Sequence, residues 1–339
     1  MIKNIQRRMQ KYSKREFWPG YISDIPVYFY YLYLVIKSWS LFFFSNINPC
    51  MQFSWFSWTS KYEDLKKFDK SMIPQTIFIK NWESLTDILN NINKSGLQYP
   101  LIAKPDLGRT GRDIMKLNNI DDIKSYLLHI KEDFLIQEFI DYPMEFGIFY
   151  YRFPDQDFWH ISWITQKCFM FIKGDWKHKF SELVMNHPRA KFYYKDLKIK
   201  HKNKRNNIIE KWKEIQLNYI WNHVRWSVFY DKSNLNNDIL ENVFDRLSKS
   251  LNWFNFWRYD IKVKEIPDLY NGNFKIIEVN WIWSLPVHNL DPNYWILNAY
   301  KELFRHWKIV YKISKINHKR WHKYLTIKEA KSIIKKYWI

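Results

Sequence analysis

The sequence predicts an α+β fold of two mixed lobes, on three observations. Short apolar runs bounded by turn residues alternate with stretches of helical period through residues 73–314. Hydrophobic residues fill 47% of 339 positions, enough for a sizeable core and inconsistent with a disordered chain. No internal repeat or low-complexity linker breaks the pattern.

Residues 1–72 are expected to form an N-terminal region: a basic start, an apolar helix within Val27–Phe44, the loop Asn46–Ser60 and a polar helix from Lys61. The run VYFYYLYLVIKSWSLFFF is the one membrane candidate, but Lys37, Ser38 and Ser40 interrupt it. A span needs about 20 apolar residues. A buried or interfacial helix is therefore expected, with peripheral membrane contact through 27–44 as the other reading. Residues 73–141 read as a small lobe: strand Thr76–Lys80, helix Glu83–Asn93, strand Leu101–Lys104, a Gly/Arg loop, strand Ile114–Leu117, helix Asp121–Ile130 and strand Phe134–Ile140. Residues 142–314 read as a large lobe, with strands Glu145–Arg152, His160–Ile172 and Lys275–Val279 and helices Asn237–Leu251 and Tyr294–Ser314. In the basic tail, 315–339, Thr326 and Glu329 have capping-box spacing before a short helix.

The formal net charge of +20 raises the question of nucleic acid. The lysines are scattered among Asn and Ile rather than gathered in a stripe, and no binding motif accompanies them, so nucleic acid is not expected as a partner. Cys50 and Cys168 are far apart and lack metal-ligand spacing. Neither a disulfide framework nor a zinc site is indicated, and a reducing cytosol, with any membrane contact at the inner face, is the expected setting. The basic residues 1–15 are not followed by a short apolar core and cleavage site, so no secretion signal is expected.

The chemistry-bearing residues fall in three groups. On a strand, alternate side chains share a face, so Glu278 and Asn280 in KIIEVN point the same way, and a neighbouring strand carrying RYD brings Asp260 beside them. Two carboxylates and an amide suit magnesium, which prefers hard oxygen ligands completed by water and phosphates. An isolated ExN is otherwise more often a solvated strand face. Lys104 follows an apolar strand and precedes PDLGRTGRD, a loop whose backbone amides and arginines suit phosphate. In QEFIDYPMEFG an apolar strand, a turn at Tyr142–Pro143 and Glu145 suit an adenine and a ribose.

In this order and spacing the residues resemble the ATP-grasp superfamily, most closely the branch of D-alanine–D-alanine ligases and related carboxylate–amine ligases. The resemblance covers about residues 60–311, and residues before it look like a distinct N-terminal region of a bacterial subgroup. It implies two α+β lobes clasping ATP, with magnesium as cofactor and a small-molecule carboxylate and an amine as substrates. It implies that Lys61 and Lys104 contact ATP phosphates and that Gly108, Arg109 and Gly111 belong to the flexible glycine loop. Gln137, Glu138 and Ile140 match the adenine-reading hinge, Glu145 the ribose contact, and Lys167 a further phosphate lysine. Arg258 matches the arginine stabilising the transferring phosphoryl group, and Asp260, Glu278 and Asn280 match the metal ligands. Such chemistry needs charge neutralisation and alignment more than a protein nucleophile. Arg152, Asn222, His223, Arg225, Ser284 and His288 are the candidates for substrate contact, with structural roles as the alternative. Two other readings stay open: a non-catalytic nucleotide-binding or membrane-surface protein, and a phosphotransferase with a non-carboxylate acceptor.

The sequence departs from that family where it expects glycine. Trp55, Trp58, Trp176, Trp221, Trp226, Trp253, Trp257, Trp281 and Trp283 all stand at glycine-like sites, and the chain has 19 Trp but 7 Gly. Glycine ordinarily supplies about 7% of a protein. A lineage that reads UGA as glycine, with the sequence translated as if UGA meant tryptophan, accounts for the exchange; UGG codons at Trp226, Trp257 and Trp281 would overturn it. A genuinely tryptophan-rich protein is the competing reading, and Trp307 is expected to be authentic. Leu285, where the family carries glutamate before the proline, is a separate departure.

Overall fold

The computed structural model describes residues 9–49, 60–107, 113–217, 227–249, 251, 254–280 and 286–337. After a single turn at Gly20–Ser23, helix α1 (Ile25–Ser38) starts with proline in its first turn and packs Val27 and Leu34 inward. Helix α2 (Lys61–Leu65) is capped by the Ser60 hydroxyl, which accepts from Glu63 N. Strand β1 (Thr76–Ile79), helix α3 (Leu85–Ser95), strands β2 (Leu101–Pro105) and β3 (Met115–Leu117), helix α4 (Ile120–Leu127) and strand β4 (Phe134–Glu138) follow as expected. Ser84 and Asp87 close a capping box on α3, and Gly96 ends it at φ 75°. The four strands form an antiparallel sheet in the order β1-β4-β2-β3. Ile79, Leu101, Ala103 and Ile136 bury one of its faces under Ile88 and Ile92 of α3 and Ile123 of α4.

Strands β5 (Met144–Arg152) and β6 (Trp159–Cys168) begin the second sheet. The single strand expected over His160–Ile172 is two: β6 ends at Cys168, and β7 (Phe171–Lys173) pairs with β8 (Glu214–Gln216) instead. Between them, helices α5 (Phe180–Asn186) and α6 (Tyr194–Lys200) close a small core around Ile172, Val184 and Leu197. Strand β9 (Val228–Asp231), helix α7 (Asp238–Lys249), strand β10 (Phe256–Val263), helix α8 (Ile266–Asn271) and strand β11 (Phe274–Asn280) complete the order β11-β10-β5-β6-β9. Helix α9 (Ile296–Lys319) and helix α10 (Ile327–Tyr337) end the described chain, the latter started by the Thr326–Glu329 capping box.

The five-stranded sheet has two dissimilar faces. One carries Phe146, Ile148, Tyr259, Ile261 and Val279 under Phe244 and Leu247 of α7 and Leu269 of α8. The other is divided along its length. At one end Phe149, Tyr151, Trp163 and Phe256 are buried under Leu34 of α1 and Trp307 and Val310 of α9. The remaining part is polar, and it holds the candidate site. No helix among the described residues is long and apolar enough to cross a membrane.

Backbone angles bear directly on the tryptophans. Among the described residues five other than glycine have positive φ, and four are Trp39, Trp176, Trp212 and Trp321, at 54°, 62°, 69° and 73°. Trp39 caps α1 as Gly96 caps α3 and Gly272 caps α8. Trp176 and Trp212 lie in the turns around Gly174, where an added Cβ would come within 2.0 Å of Glu210 O. All four indoles are exposed, so packing does not offset the strain. Trp257 differs: it lies in β10, 1% exposed, and meets Phe254 edge-on at 4.3 Å, so its backbone makes no demand for glycine. Trp55, Trp58, Trp221, Trp226, Trp253, Trp281 and Trp283 lie outside the described residues.

A side chain in the left-handed region costs roughly 1–2 kcal/mol. Trp39→Gly, Trp176→Gly, Trp212→Gly and Trp321→Gly are each expected to stabilise the fold by about 1 kcal/mol. Urea midpoints at unchanged slope measure this; a uniform loss of stability would show that the indoles are integral. Peptide mass spectrometry of protein from its natural source reads residue 176 directly.

Candidate functional site

The register of the second sheet assembles the charged groups. Asp260 on β10 faces Glu278 on β11, Arg258 faces Asn280, and Glu145 on β5 faces Lys167 on β6. A bulge between β10 and β11 leaves Ile277 unpaired between Ile276 and Glu278. This extra residue lets Ile276 and Val279 remain buried while Glu278 and Asn280 share the polar face. Gly147, opposite Asp260 on β5, makes room: a Cβ there would lie 3.3 Å from both Arg258 Cδ and Asp260 Oδ1. Sequence reasoning passed over Gly147, although a glycine inside a strand signals close approach.

Four of these groups form one buried network. Lys167 Nζ lies 2.9 Å from Glu145 Oε1 and 2.7 Å from Asp260 Oδ2. Arg258 donates from Nε to Asp260 Oδ1 at 2.8 Å and from a terminal nitrogen to Oδ2 at 3.1 Å, and Asn280 Nδ2 donates to the same Oδ2 at 2.9 Å. Glu145 is 1% exposed and Asp260 3%. Burial raises the carboxyl pKa of Glu145, with the Asp260 charge adding to it and Lys167 opposing. Burial acts on Asp260 in the same sense, but Arg258 and Lys167 outweigh it and hold the carboxyl below its ordinary value. For Lys167 burial favours the neutral amine, and the charges of Asp260 and Glu145 outweigh it to raise the pKa.

Lys104 joins the two sheets. From β2 its Nζ donates to Gln137 Oε1 at 3.0 Å and, across the cleft, to Ile277 O at 3.0 Å. Burial lowers its pKa to about 8, with Glu278 the leading opposing charge and Lys61 adding to the depression. Gln137 in turn donates to Thr76 Oγ1 at 2.8 Å. Lys61 begins α2, and its Nζ donates to Asp106 O at 3.1 Å. Asp106, 4% exposed, accepts from Ser60 Oγ and Tyr62 N and so pins α2 to the end of β2. Asp106 has no role predicted from sequence; an aspartate between an apolar strand and a Gly-rich loop is the usable signal.

The remaining expected residues are placed unevenly. Glu138 is exposed on β4 and accepts from Gln75 N, whereas Ile140 is buried and its carbonyl accepts from Lys262 Nζ at 2.8 Å. Gly108, Arg109 and Gly111, with Asn222, His223, Arg225, Ser284 and Leu285, lie outside the described residues. Arg152 stands at the other end of β5 from Glu145 and donates to Gln156 O, away from the cluster. His288, 1% exposed, meets Trp163 edge-on, and burial lowers its pKa to about 3. Neutral and enclosed, it serves packing rather than substrate contact.

As a magnesium site, Asp260, Glu278 and Asn280 supply hard oxygens on adjacent strands, and that donor set fits the ion. Among the described residues no three His, Cys, Asp or Glu side chains gather at metal-binding spacing. Asp260 is already engaged by Lys167, Arg258 and Asn280, which the sequence did not foretell. Glu145 Oε2, buried and without a hydrogen-bond donor among the described residues, leaves a further carboxylate oxygen at the site.

Several solved structures are distantly similar to this chain. They include a bifunctional glutathione synthetase from Pasteurella multocida (16% identity, TM-score 0.35, covering 72% of this chain and 35% of that one). A carboxyaminoimidazole ribonucleotide synthase from Aspergillus clavatus is 12% identical, with a TM-score of 0.39 over 66% of this chain and 44% of that one. The D-alanine–D-alanine ligase from Bacillus anthracis is 13% identical, with a TM-score of 0.42 over 77% of this chain and 68% of that one. The chain thus spans less than half the length of the first two. At TM-scores below 0.5 these likenesses assign nothing to it. No protein-family model and no curated protein matches the chain.

Two measurements test this arrangement. Lys167→Met leaves Glu145 buried without its ion-pair partner and Asp260 with Arg258, and is expected to cost about 3–5 kcal/mol in chemical denaturation. Below pH 8 Lys104 is charged in both folded and unfolded chains; between about 8 and its ordinary 10.5 only the unfolded chain holds the proton. Its contribution to stability therefore rises through that window. Lys104→Met is expected to remove this rise, and an unchanged profile would place the lysine in water.

Proposed function

We propose that this chain is an ATP- and magnesium-dependent ligase of the ATP-grasp kind, joining a small-molecule carboxylate to an amine through an acyl phosphate. One observation carries the reading: Lys104 reaches from the four-stranded sheet onto β11 of the five-stranded sheet at Ile277, next to Glu278, which faces Asp260 on β10. An anion entering that cleft meets ammonium and guanidinium groups from both sides.

The two lysines are prepared differently. Lys104 is held by neutral acceptors, Gln137 Oε1 and Ile277 O, so its charge is available to a phosphate, and that anion would restore the ammonium form that burial disfavours. Lys167 is bound by two carboxylates and contacts phosphate only by exchanging one of them. Arg258, fixed by its fork on Asp260, offers a positive charge to the transferring group. Glu278, Asn280 and Asp260 would hold magnesium, which would supply positive charge against the phosphates. A substrate carboxylate oxygen bonds to the γ-phosphorus as the bond to the bridging oxygen breaks and ADP leaves. The amine nitrogen then bonds to the acyl carbon, losing a proton, and phosphate departs. Positioning and charge suffice for both steps.

Glu278 is half-buried, so Glu278→Gln is expected to leave the fold intact while lowering carboxylate-dependent ADP release by about 10²–10³-fold. A screen of amino acids, peptides and sugar-linked acids with the protein carrying glycine at the left-handed tryptophans supplies the assay. Magnesium-dependent ATP binding without ADP release for any acid would favour a non-catalytic nucleotide-binding protein instead.

A further inference from the structure

Helix α1 is apolar on almost every side, yet only one side is covered. Val27 and Leu34 are buried, and Tyr30 and Tyr31 rest on Phe304 and Trp307 of α9. The opposite face presents Ile25, Tyr28, Phe29, Leu32, Tyr33 and Ile36, with Phe29 70% and Ile36 71% exposed. Their spacing, one turn apart along the helix, makes a continuous stripe rather than scattered single residues. A helix apolar all round is ordinarily enclosed, so this stripe lacks a partner within the described chain.

The charges around it indicate the partner. Between residues 9 and 49 the acids are Glu16, buried against Arg189, and Asp24 at the start of α1. At the other end of α1, Lys37 and Lys315 of α9 both stand over the Tyr311 ring, at 5.5 and 6.0 Å. Lys308, Lys312, Lys319 and Arg320 are exposed along the same stretch of chain, and Glu329 is the one acid from residue 308 to the end of α10. That basic segment is fastened beside α1: Asn46 Nδ2 donates to His322 O at 2.8 Å, and Leu325 N to Ser45 Oγ at 2.8 Å. An apolar, tyrosine-rich stripe flanked by cations and poor in exposed carboxylates is complementary to an anionic bilayer surface.

We infer that α1 lies in the plane of an anionic membrane, its Phe29–Ile36 stripe in the acyl boundary and the basic residues of α9 and the following segment on the lipid headgroups. At 14 residues the helix is about 21 Å long, short of the roughly 30 Å hydrocarbon core, so it rests on the bilayer and does not cross it. Tyrosine rings suit that depth, with apolar bodies and polar tips. The inference is independent of the reaction assigned to the cleft.

The test is co-sedimentation of the full chain with phosphatidylcholine vesicles, with and without phosphatidylglycerol. Binding is expected only when phosphatidylglycerol is present and is expected to weaken with salt. Phe29→Glu with Ile36→Glu should abolish it at unchanged circular dichroism, and Lys312→Ala and Lys315→Ala should each weaken it about fivefold. These substitutions touch none of the cleft residues, so nucleotide binding is expected to persist. A chain that stays in the supernatant with both vesicle types overturns the inference. So does a concentration-dependent dimer that the Phe29→Glu, Ile36→Glu variant dissolves, since the stripe would then be an interface between copies.

Discussion

Two cations and two carboxylates lie side by side on the five-stranded sheet with almost no access to water, and much of the surrounding geometry follows from that burial. Lys167 between Glu145 and Asp260, and Arg258 forked on Asp260, leave the set formally neutral. Removing charges from water costs several kcal/mol each, and mutual attraction offsets that only at close, well-directed contact. The backbone is shaped to give such contact. Gly147 leaves the space above β5 empty for Arg258, and the bulge at Ile277 lets buried Ile276 be followed by Glu278 on the face that carries Asp260. The neighbouring Phe149, Trp163 and Phe256 seal one end of the strip under α9, and at β11 Lys104 reaches across from the other sheet.

Lys104 gives the arrangement its second half. Its hydrogen bond to Ile277 O is made across the gap between two sheets that otherwise keep separate cores. Burial lowers the pKa of this lysine to about 8, and its two hydrogen bonds go to neutral acceptors, Gln137 Oε1 and Ile277 O. An anionic ligand bound between the sheets would improve its position at little structural cost. That is the physical basis for proposing phosphate as the cleft's ligand, and it rests on burial and hydrogen bonding rather than on similarity to other proteins.

Much of this was legible in the sequence, for identifiable reasons. Strand alternation in KIIEVN and RYD was enough to put Asp260, Glu278 and Asn280 on one face, because side-chain direction on a strand follows from position alone. What alternation does not encode is partner choice. Nothing local to Lys167 says that it pairs with Glu145 twenty-two positions away, and so the ion pair at Glu145 Oε1 was not legible. The small module of β7, β8, α5 and α6 was missed because its elements are short and lie in a lysine-rich stretch where hydrophobic period is weak. His288 drew attention as a lone histidine, and burial against Trp163 gives it a packing role.

The left-handed tryptophans join the composition to the backbone. A chain short of glycine should show its shortage where φ must be positive, and Trp39, Trp176, Trp212 and Trp321 occupy such places, two of them where helices α1 and α9 end. An authentic tryptophan would be expected to earn its place by burial, as Trp163, Trp257 and Trp307 do, each no more than 2% exposed. The four left-handed indoles are instead between 61% and 94% exposed. Among the described tryptophans, then, one group fills cores and another stands where a side chain brings strain, while Trp82 and Trp295 are exposed without a left-handed backbone and belong to neither. A taste for aromatic packing explains the first population and not the second, whereas exchange of glycine for tryptophan explains the second and leaves the first untouched.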